Sequence, residues 1–135
     1  MAQSIKLGSD TYLDASGVVT DSAGTTLATF INGKTVSVTP TRVTITNNDS
    51  RQFGKLVCIN IRASLSASVG NGNDIITGLP LPLNSSNLAS SSGLVPVTIS
   101  IPDAVVVLLA DGRLYVNSGT IPAGNIFLSA AYICK

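Results

Sequence analysis

Apolar and polar residues alternate along several short segments of the chain, and turn-forming residues separate these segments. In the clearest example, residues 94–101, every second residue from Val95 to Ile101 is apolar. A period of two predicts a β-strand that buries one face. Further strands are predicted at 41–47, 51–67, 74–78, 104–109, 113–116 and 125–135. Roughly seven to eight strands at short spacing predict an all-β fold, an antiparallel β-sandwich of Greek-key or jelly-roll type.

Residues 104–117, which read AVVVLLADGRLYVN, carry the strongest signal for a β-hairpin. A strand of valine and leucine ends at Ala110, and a second strand begins after Gly112. Aspartate and glycine tolerate the positive φ angles of a two-residue type I′ turn. We therefore predict that Asp111 and Gly112 form this turn.

The longest alternating segment, 51–67, is less regular at its start. Apolar residues keep one parity from Val57 onwards, but Lys55 breaks it. We interpret the whole segment as one strand with a bulge at Gly54. The polar cluster at 47–50 predicts a turn before this strand.

Two segments, 104–109 and 126–133, are apolar on both faces, whereas the strands of an antiparallel sandwich normally have one polar face. The chain is also poor in charge, because only 11% of its residues are charged against about 25% in an average soluble domain. A surface coated with serine, threonine and asparagine would explain the low charge, and so would burial of apolar surface against identical subunits. We expect both, and the two doubly apolar segments predict that the subunits pack around an axis.

Residues 1–35 differ from the rest, because their apolar pieces are too short to bury a core. Turns are predicted at 8–10, 14–17 and 21–24, and one or two helical turns at 25–33. Neighbouring subunits often hold such a segment. We interpret residues 1–35 as a connector and oligomerisation segment and residues 36–135 as a β-sandwich head domain.

Charge and hydropathy exclude several classes of partner. The net charge is +1, so there is no basic field to attract nucleic acid. No apolar run approaches the ~20 residues of a membrane span, and the start, MAQSIKLGSD, has no hydrophobic signal-peptide core. We expect neither nucleic-acid binding nor membrane insertion.

The sequence contains little of the chemistry that catalysis needs. It has no histidine and no glutamate, and its seven aspartates all lie at predicted turns. Residues 71–74, Asn-Gly-Asn-Asp, resemble an oxygen-rich calcium loop but lack the full alternating set of ligands. We therefore predict no enzyme activity, no catalytic residue, no cofactor and no metal site.

Cys58 and Cys134 each lie inside an apolar strand pattern. Buried free thiols are the favoured interpretation. A disulfide that joins two strands is the alternative, and it would require an oxidising compartment. Two cysteines without a histidine do not make a convincing metal site.

Arg113, Tyr115 and Asn117 are the candidate ligand-binding residues, because they are predicted to lie on one face of the hairpin's second strand. A sugar-binding face would combine such an aromatic platform with polar neighbours. Cross-strand pairing and solubility explain the same residues and are the favoured interpretation. Arg62 also has two interpretations, an internal ion-pair partner or an exposed side chain on the outer sheet.

Four segments of the main domain carry a resemblance to a known family. They are TRVTITNNDSRQFGKLVCINIRASLSA (41–67), TGLPLPL (77–83), DGRLYVNSGTIPAG (111–124) and FLSAAYI (127–133). Together they resemble the C-terminal receptor-binding or head domains of tailed-phage fibre and baseplate proteins. The segment IKLGSDTYLDASGVV (5–19) is similar to the short connectors that precede such heads in phages and prophages.

The resemblance implies a homotrimeric, jelly-roll-like virion component with a host cell-surface saccharide as its ligand and other virion proteins as partners. It implies a place in the virion tail after assembly in the host cytoplasm, which fits unpaired cysteines. One alternative is a purely structural virion domain, for decoration or assembly, without a ligand of its own. A less favoured alternative is a bacterial carbohydrate-binding module or secreted enzyme.

Overall fold

The computed structural model describes residues 5–7, 10–13, 31–83 and 95–135, with side chains from residue 31 onwards. The chain divides into two compact units, residues 1–34 and 35–135. In the first unit, β1 (Ile5–Leu7) and β2 (Asp10–Leu13) form an antiparallel pair. The connector role of residues 1–35 stays a prediction.

Several predictions for the N-terminal residues lie outside the described ranges. These are the turns at 14–17 and 21–24, most of the turn at 8–10 and most of the helical segment 25–33. At the end of that segment, Ile31 and Asn32 are helical, and Gly33 has a φ of 73°. A glycine in this left-handed conformation is a common helix end.

The second unit is built on one antiparallel, curled sheet whose first strand begins at the boundary between the units. Its strands are β3 (Lys34–Thr35), β4 (Thr39–Pro40), β5 (Thr44–Asn48), β6 (Arg51–Phe53), β7 (Leu56–Leu65), β8 (Val69–Gly70), β9 (Asp74–Thr77), β10 (Val95–Ile99), β11 (Ala104–Leu108), β12 (Leu114–Ile121) and β13 (Gly124–Ile133). The predicted all-β class is confirmed, since the curled antiparallel sheet is consistent with a β-sandwich-like fold.

The path across the sheet runs β3-β6-β7-β13-β10-β11-β12-β9-β4, with β5 beside β7 and β8 beside β12. Strand β10 joins the two halves of this path. Its first residues, Val95 to Val97, pair with β11, whereas Thr98 and Ile99 pair with β13. One strand therefore passes from one half of the sheet to the other, as corner strands do in sandwiches.

The core lies on the inner faces of both halves. On β7, alternate residues from Val57 to Leu65 are buried, and β13 opposes them with Ile126, Leu128 and Tyr132. The other half adds Val106 and Leu108 of β11, Leu114, Val116 and Ile121 of β12, and Ile75 and Ile76 of β9. Full burial of each large aliphatic side chain stabilises the fold by roughly 1.5–3 kcal/mol. The alternation predicted on 94–101 is present over Val95–Ile99, where Val97 is buried while Pro96 and Thr98 are exposed, and residue 94 lies outside the described residues.

The segment 51–67 is not one strand, and that prediction is wrong. Gly54 and Lys55 form a two-residue turn between β6 and β7, and Phe53 pairs with Leu56 across it. Gly54 has a φ of 59°, which suits the first central position of a tight hairpin turn. The parity break at Lys55 therefore marks a reversal of the chain, where we expected a bulge.

The predicted turn at 47–50 is also wrong, because β5 and β6 follow one another along β7. Asp49 continues the pairing by donating its N–H to the Asn60 carbonyl at 3.0 Å. The buried Ser50 hydroxyl accepts the Asn60 N–H at 2.9 Å, and the Asn48 side chain donates to the Val36 carbonyl at 2.8 Å. These side-chain bonds hold polar residues in an extended segment, whereas their composition alone favours a turn.

The hairpin at 104–117 is confirmed, but its predicted two-residue turn is wrong. Leu108 pairs with Leu114, and Leu109 donates its N–H to the Arg113 carbonyl at 2.8 Å. Gly112 donates back to the Leu109 carbonyl at 3.0 Å and has a φ of 81°. The loop is therefore three residues long, with Gly112 at the left-handed position of the bulge that such loops contain.

The two segments predicted to be apolar on both faces differ in the structure. On β11, Val107 lies on the opposite face from Val106, yet the chain itself buries it to 5% exposure. On β13, the outer residues Phe127, Ser129, Ala131 and Ile133 are all exposed. Val107 therefore needs no second subunit to cover it, and the outer face of β13 is the larger uncovered surface.

Both cysteines are free thiols. Cys134 is buried on the inner face, where its Sγ accepts a hydrogen bond from Gln52 Nε2 at 3.3 Å. Cys58 is only partly buried and lies on the outer face, with Ala131 opposite it on β13. The prediction of a buried thiol is confirmed for Cys134 alone, and the opposite faces leave no disulfide between the two.

Candidate functional site

Arg113, the first candidate residue, is held between two carboxylates at the end of the hairpin. Its Nη1 lies 3.0 and 2.9 Å from the two Asp74 oxygens, and its Nε lies 2.7 Å from Asp111 Oδ2. These hydrogen bonds, first that to Asp74 and then that to Asp111, raise the pKa of Arg113 above its usual value. The guanidinium therefore joins the hairpin loop to the neighbouring strand β9.

Tyr115 lies on the same outer face as Arg113, two residues further along β12. Its backbone pairs with Val107 on one side and Asp74 on the other, and its side chain is half-buried. A single row across the sheet thus contains an apolar residue, an aromatic ring and a carboxylate. The predicted neighbourhood of Arg113 and Tyr115 is present in the structure.

Asn117 does not continue this row. The pairs Val105–Ser118 and Val106–Val116 leave Asn117 unpaired, so it is the extra residue of a β-bulge. The bulge interrupts the alternation on which the predicted common face depends. Asn117 is exposed, but its position on the strand is displaced from that of Arg113 and Tyr115.

The polar loop before Asp74 is fixed along β12 by backbone hydrogen bonds. Asn71 and Gly72 donate to the carbonyls of Gly119 and Val116, and Val116 donates to the Asn73 carbonyl, all at 3.0 Å. The Asp74 carboxylate forms a salt bridge with Arg113. In the described ranges no three acidic, cysteine or histidine side chains converge as metal ligands would.

A second arginine, Arg62, forms a constellation that the sequence pattern did not reveal. Its guanidinium carbon lies 5.1 Å from the ring centroid of Phe127, directly across the β7–β13 pair. The two side chains border a recess that Thr46 and Asn125 also line. Arg62 is therefore an exposed side chain on the outer face, and its internal ion-pair interpretation is wrong. The pairing of Phe127 with Arg62 follows from the strand register, which the sequence alone does not specify.

At the other end of the same outer face, large apolar side chains are exposed in a row. Leu56 and Ile133 are a cross-strand pair, and Leu83 donates its N–H to the Ile133 carbonyl at 2.8 Å. Leu56, Ile133 and Leu83 are 41%, 47% and 49% exposed. We call these three residues the outer row. Partly buried Phe53 extends it on one side, since Phe53 pairs with Leu56.

Comparisons with known proteins identified no relative of this chain. No family model, no curated protein and no solved structure matches the chain. Within the described residues, no helix is long and apolar enough to cross a membrane.

Proposed function

We propose that this chain is a homotrimeric virion attachment protein, a tail-fibre or baseplate head that binds a saccharide on the host cell surface. The observation that carries the proposal is the outer row, in which Leu56 of β7, Ile133 of β13 and the adjoining Leu83 are exposed side by side. The resemblance of its segments to phage head domains supplies the biological setting.

The outer row favours assembly because folded monomers rarely leave large apolar side chains exposed side by side. Between Ile133 and Phe127 the outer face of β13 carries only the small residues Ser129 and Ala131. Small side chains there allow a neighbouring surface to approach closely. Identical copies are the occupants that we propose, as in most soluble oligomers.

Another exposed apolar residue, Val105, has a different setting. It is 49% exposed, but its partner across β12 is Ser118. An isolated apolar side chain on a surface needs no explanation. The proposed subunit interface therefore lies on the outer face of β7 and β13, and not on the hairpin.

This assignment keeps assembly and attachment on different strands. Strands β10 and β11 separate β13 from β12, which contains Tyr115 and directly follows Arg113. An interface on β7 and β13 would leave the polar loops beside β12 open to a ligand. The proposal includes no catalysis, no cofactor and no metal, and a purely structural virion domain is its main alternative.

The binding role is tested by incubating the labelled full chain with an array of bacterial surface polysaccharides and with whole cells of several candidate hosts. We expect binding to a subset of the glycans and to the cells that display them. An absence of binding across glycans and cells would contradict attachment and favour the structural alternative. The same glycans are assayed for new reducing ends, and their release would contradict the prediction that the protein is not an enzyme.

A further inference from the structure

We propose that a recess between the bends at 41–43 and 66–68 binds the anionic group of an acidic saccharide, with Arg42 as its charged contact. Thr41, Arg42, Ser66, Ser68 and Asn73 line this recess together with the intervening backbone. The saccharide part of this inference rests on the attachment role proposed above. The anion part rests on the groups that the recess presents.

Arg42 and several hydroxyl and amide groups line the recess. Arg42 forms no ion pair with any carboxylate of the described residues, and it is the charged residue of the recess. Within the same residues, the N–H groups of Ser66, Ala67 and Ser68 donate to no protein acceptor. A guanidinium beside free N–H and hydroxyl donors suits a carboxylate or a phosphate, because both are acceptors with two or more oxygens.

Two of the residues at the recess have oxygens that are already occupied. The Asp74 carboxylate binds Arg113, and its backbone carbonyl accepts the Thr41 hydroxyl at 3.0 Å. The Gly70 carbonyl accepts the Asn73 side-chain amide at 2.9 Å. With the Asp74 carboxylate engaged by Arg113, Arg42 gives the lining of the recess a net positive charge.

Both walls of the recess are anchored to the sheet. The N–H groups of Thr41 and Arg42 point to the Ile75 carbonyl, at 3.0 and 3.5 Å. On the other wall, Val69 is buried and pairs with Ile121. Walls that are fixed before the ligand arrives lower the entropic cost of binding.

The size and polarity of the recess suit a single sugar unit. Its volume is about 320 Å³, at the lower end of the range for small-molecule sites. Hydroxyl and amide groups on its walls match the hydroxyls of a sugar. The single site would be weak, and three copies in one trimer would raise the overall affinity through avidity.

The test is an NMR titration of the ¹⁵N-labelled full chain with D-glucuronate, D-glucose 6-phosphate, D-glucose and inorganic phosphate. We expect shifts of the Ser66–Gly70 amides with glucuronate or with glucose 6-phosphate, and none with glucose. Shifts with glucuronate indicate a carboxylate as the source of the charge, and shifts with glucose 6-phosphate alone indicate a phosphorylated glycan. Shifts with inorganic phosphate alone would overturn the saccharide proposal.

Arg42→Gln removes the charge and keeps a hydrogen-bonding side chain of similar length. We expect it to weaken binding of the acidic sugar by about tenfold or more, as for loss of a charged hydrogen bond. Arg51→Gln is the matched control, because Arg51 is exposed, lies outside the recess and binds Thr35. Equal binding by Arg42→Gln and wild type would overturn the proposal.

The same variants separate this inference from the attachment role. Loss of array binding in Arg42→Gln supports both. Array binding that is unchanged in Arg42→Gln leaves the attachment role standing and overturns the Arg42 site. Titration shifts that depend on Arg42, without any binding to arrays or cells, support the anion site and contradict attachment.

Discussion

Gly112 shows how one residue sets the geometry of the hairpin. Its φ is 81°, and a Cβ built on it would collide with the carbonyl oxygen of Leu79. The backbones are this close because Leu79 donates its N–H to the Gly112 carbonyl at 3.1 Å. Gly112 therefore has to provide both a left-handed conformation and room for the backbone of Leu79.

We predict that Gly112→Ala lowers the free energy of unfolding by at least roughly 3 kcal/mol, because strain in φ and overpacking add together. Gly54→Ala is the matched control. Its φ is 59°, but no atom lies within 4 Å of the added Cβ, so only the conformational cost of about 1–2 kcal/mol applies. Urea unfolding measures the free energy of unfolding of both variants. An equal decrease in the two variants would show that the close contact with Leu79 adds no cost to Gly112→Ala.

Tyr132 is the second residue whose environment has a measurable consequence. Its hydroxyl donates to the Pro80 carbonyl at 2.7 Å, and its ring is buried in the core. Burial, with a smaller contribution from Cys134, raises the pKa of Tyr132 far above its ordinary value of 10.0. The folded state thus holds the phenol proton more tightly than the unfolded state does.

This pKa shift predicts an alkaline loss of stability. The stability that the buried, protonated Tyr132 phenol contributes is fully present below about pH 10, where the phenol is protonated in both the folded and the unfolded state. It falls as the pH rises further, because the phenol then ionises in the unfolded state but not in the folded state. Tyr132→Phe should lose about 1 kcal/mol at neutral pH with the Pro80 bond and should flatten the decline above pH 10. An unchanged slope in Tyr132→Phe would contradict the assignment.

At the scale of single elements, β11 offers a direct test of which apolar positions the chain covers by itself. Val105 and Val107 lie on the same outer face of one strand, at 49% and 5% exposure. We predict that Val107→Asp prevents soluble folding, because an unpaired buried charge costs several kcal/mol. Val105→Asp should fold normally. Circular dichroism of the soluble fraction measures both, and a folded Val107→Asp would show that this position is open to solvent.

The elements also show what the sequence pattern can and cannot specify. Alternation identified β7 and β10, and runs that are apolar on both faces identified β11 and β13. The sequence pattern gave the wrong prediction where side-chain hydrogen bonds determine the conformation of the backbone. Asn48 and Ser50 look like a turn but are held extended by bonds to Val36 and Asn60.

Turn types were harder to predict than hairpins. The Asp111-Gly112 pair correctly located a reversal, but Leu109 pairs with Arg113, so the loop contains one more residue than the two-residue turn. Gly54-Lys55 has no such signature and was assigned to a strand interior. The register of two paired strands depends on which of their side chains are buried in the core. The length of the turn that joins the strands follows from that register.

The candidate surfaces were predictable to different degrees. Arg113 and Tyr115 are close in sequence on one strand, so period alone places them together. Asn117 leaves that face because a bulge intervenes. The Arg42 recess joins bends more than twenty residues apart, and only the folded sheet brings them to one place.

At the scale of the whole molecule, the central claim is that the outer row joins copies of this chain into a trimer. The row combines exposed Leu56, Ile133 and Leu83 on a chain with few charges. Ile133→Lys places a charge in the middle of the proposed interface. Val105→Lys makes the same kind of change at an equally exposed position outside it.

The most direct test is the mass of the particle in solution at micromolar concentration, measured by light scattering after size-exclusion chromatography. We predict that the wild type and Val105→Lys give about three times the monomer mass of 13.8 kDa, and that Ile133→Lys gives a folded 13.8 kDa monomer. A monomeric wild type, or an Ile133→Lys variant that keeps the threefold mass, would contradict the account.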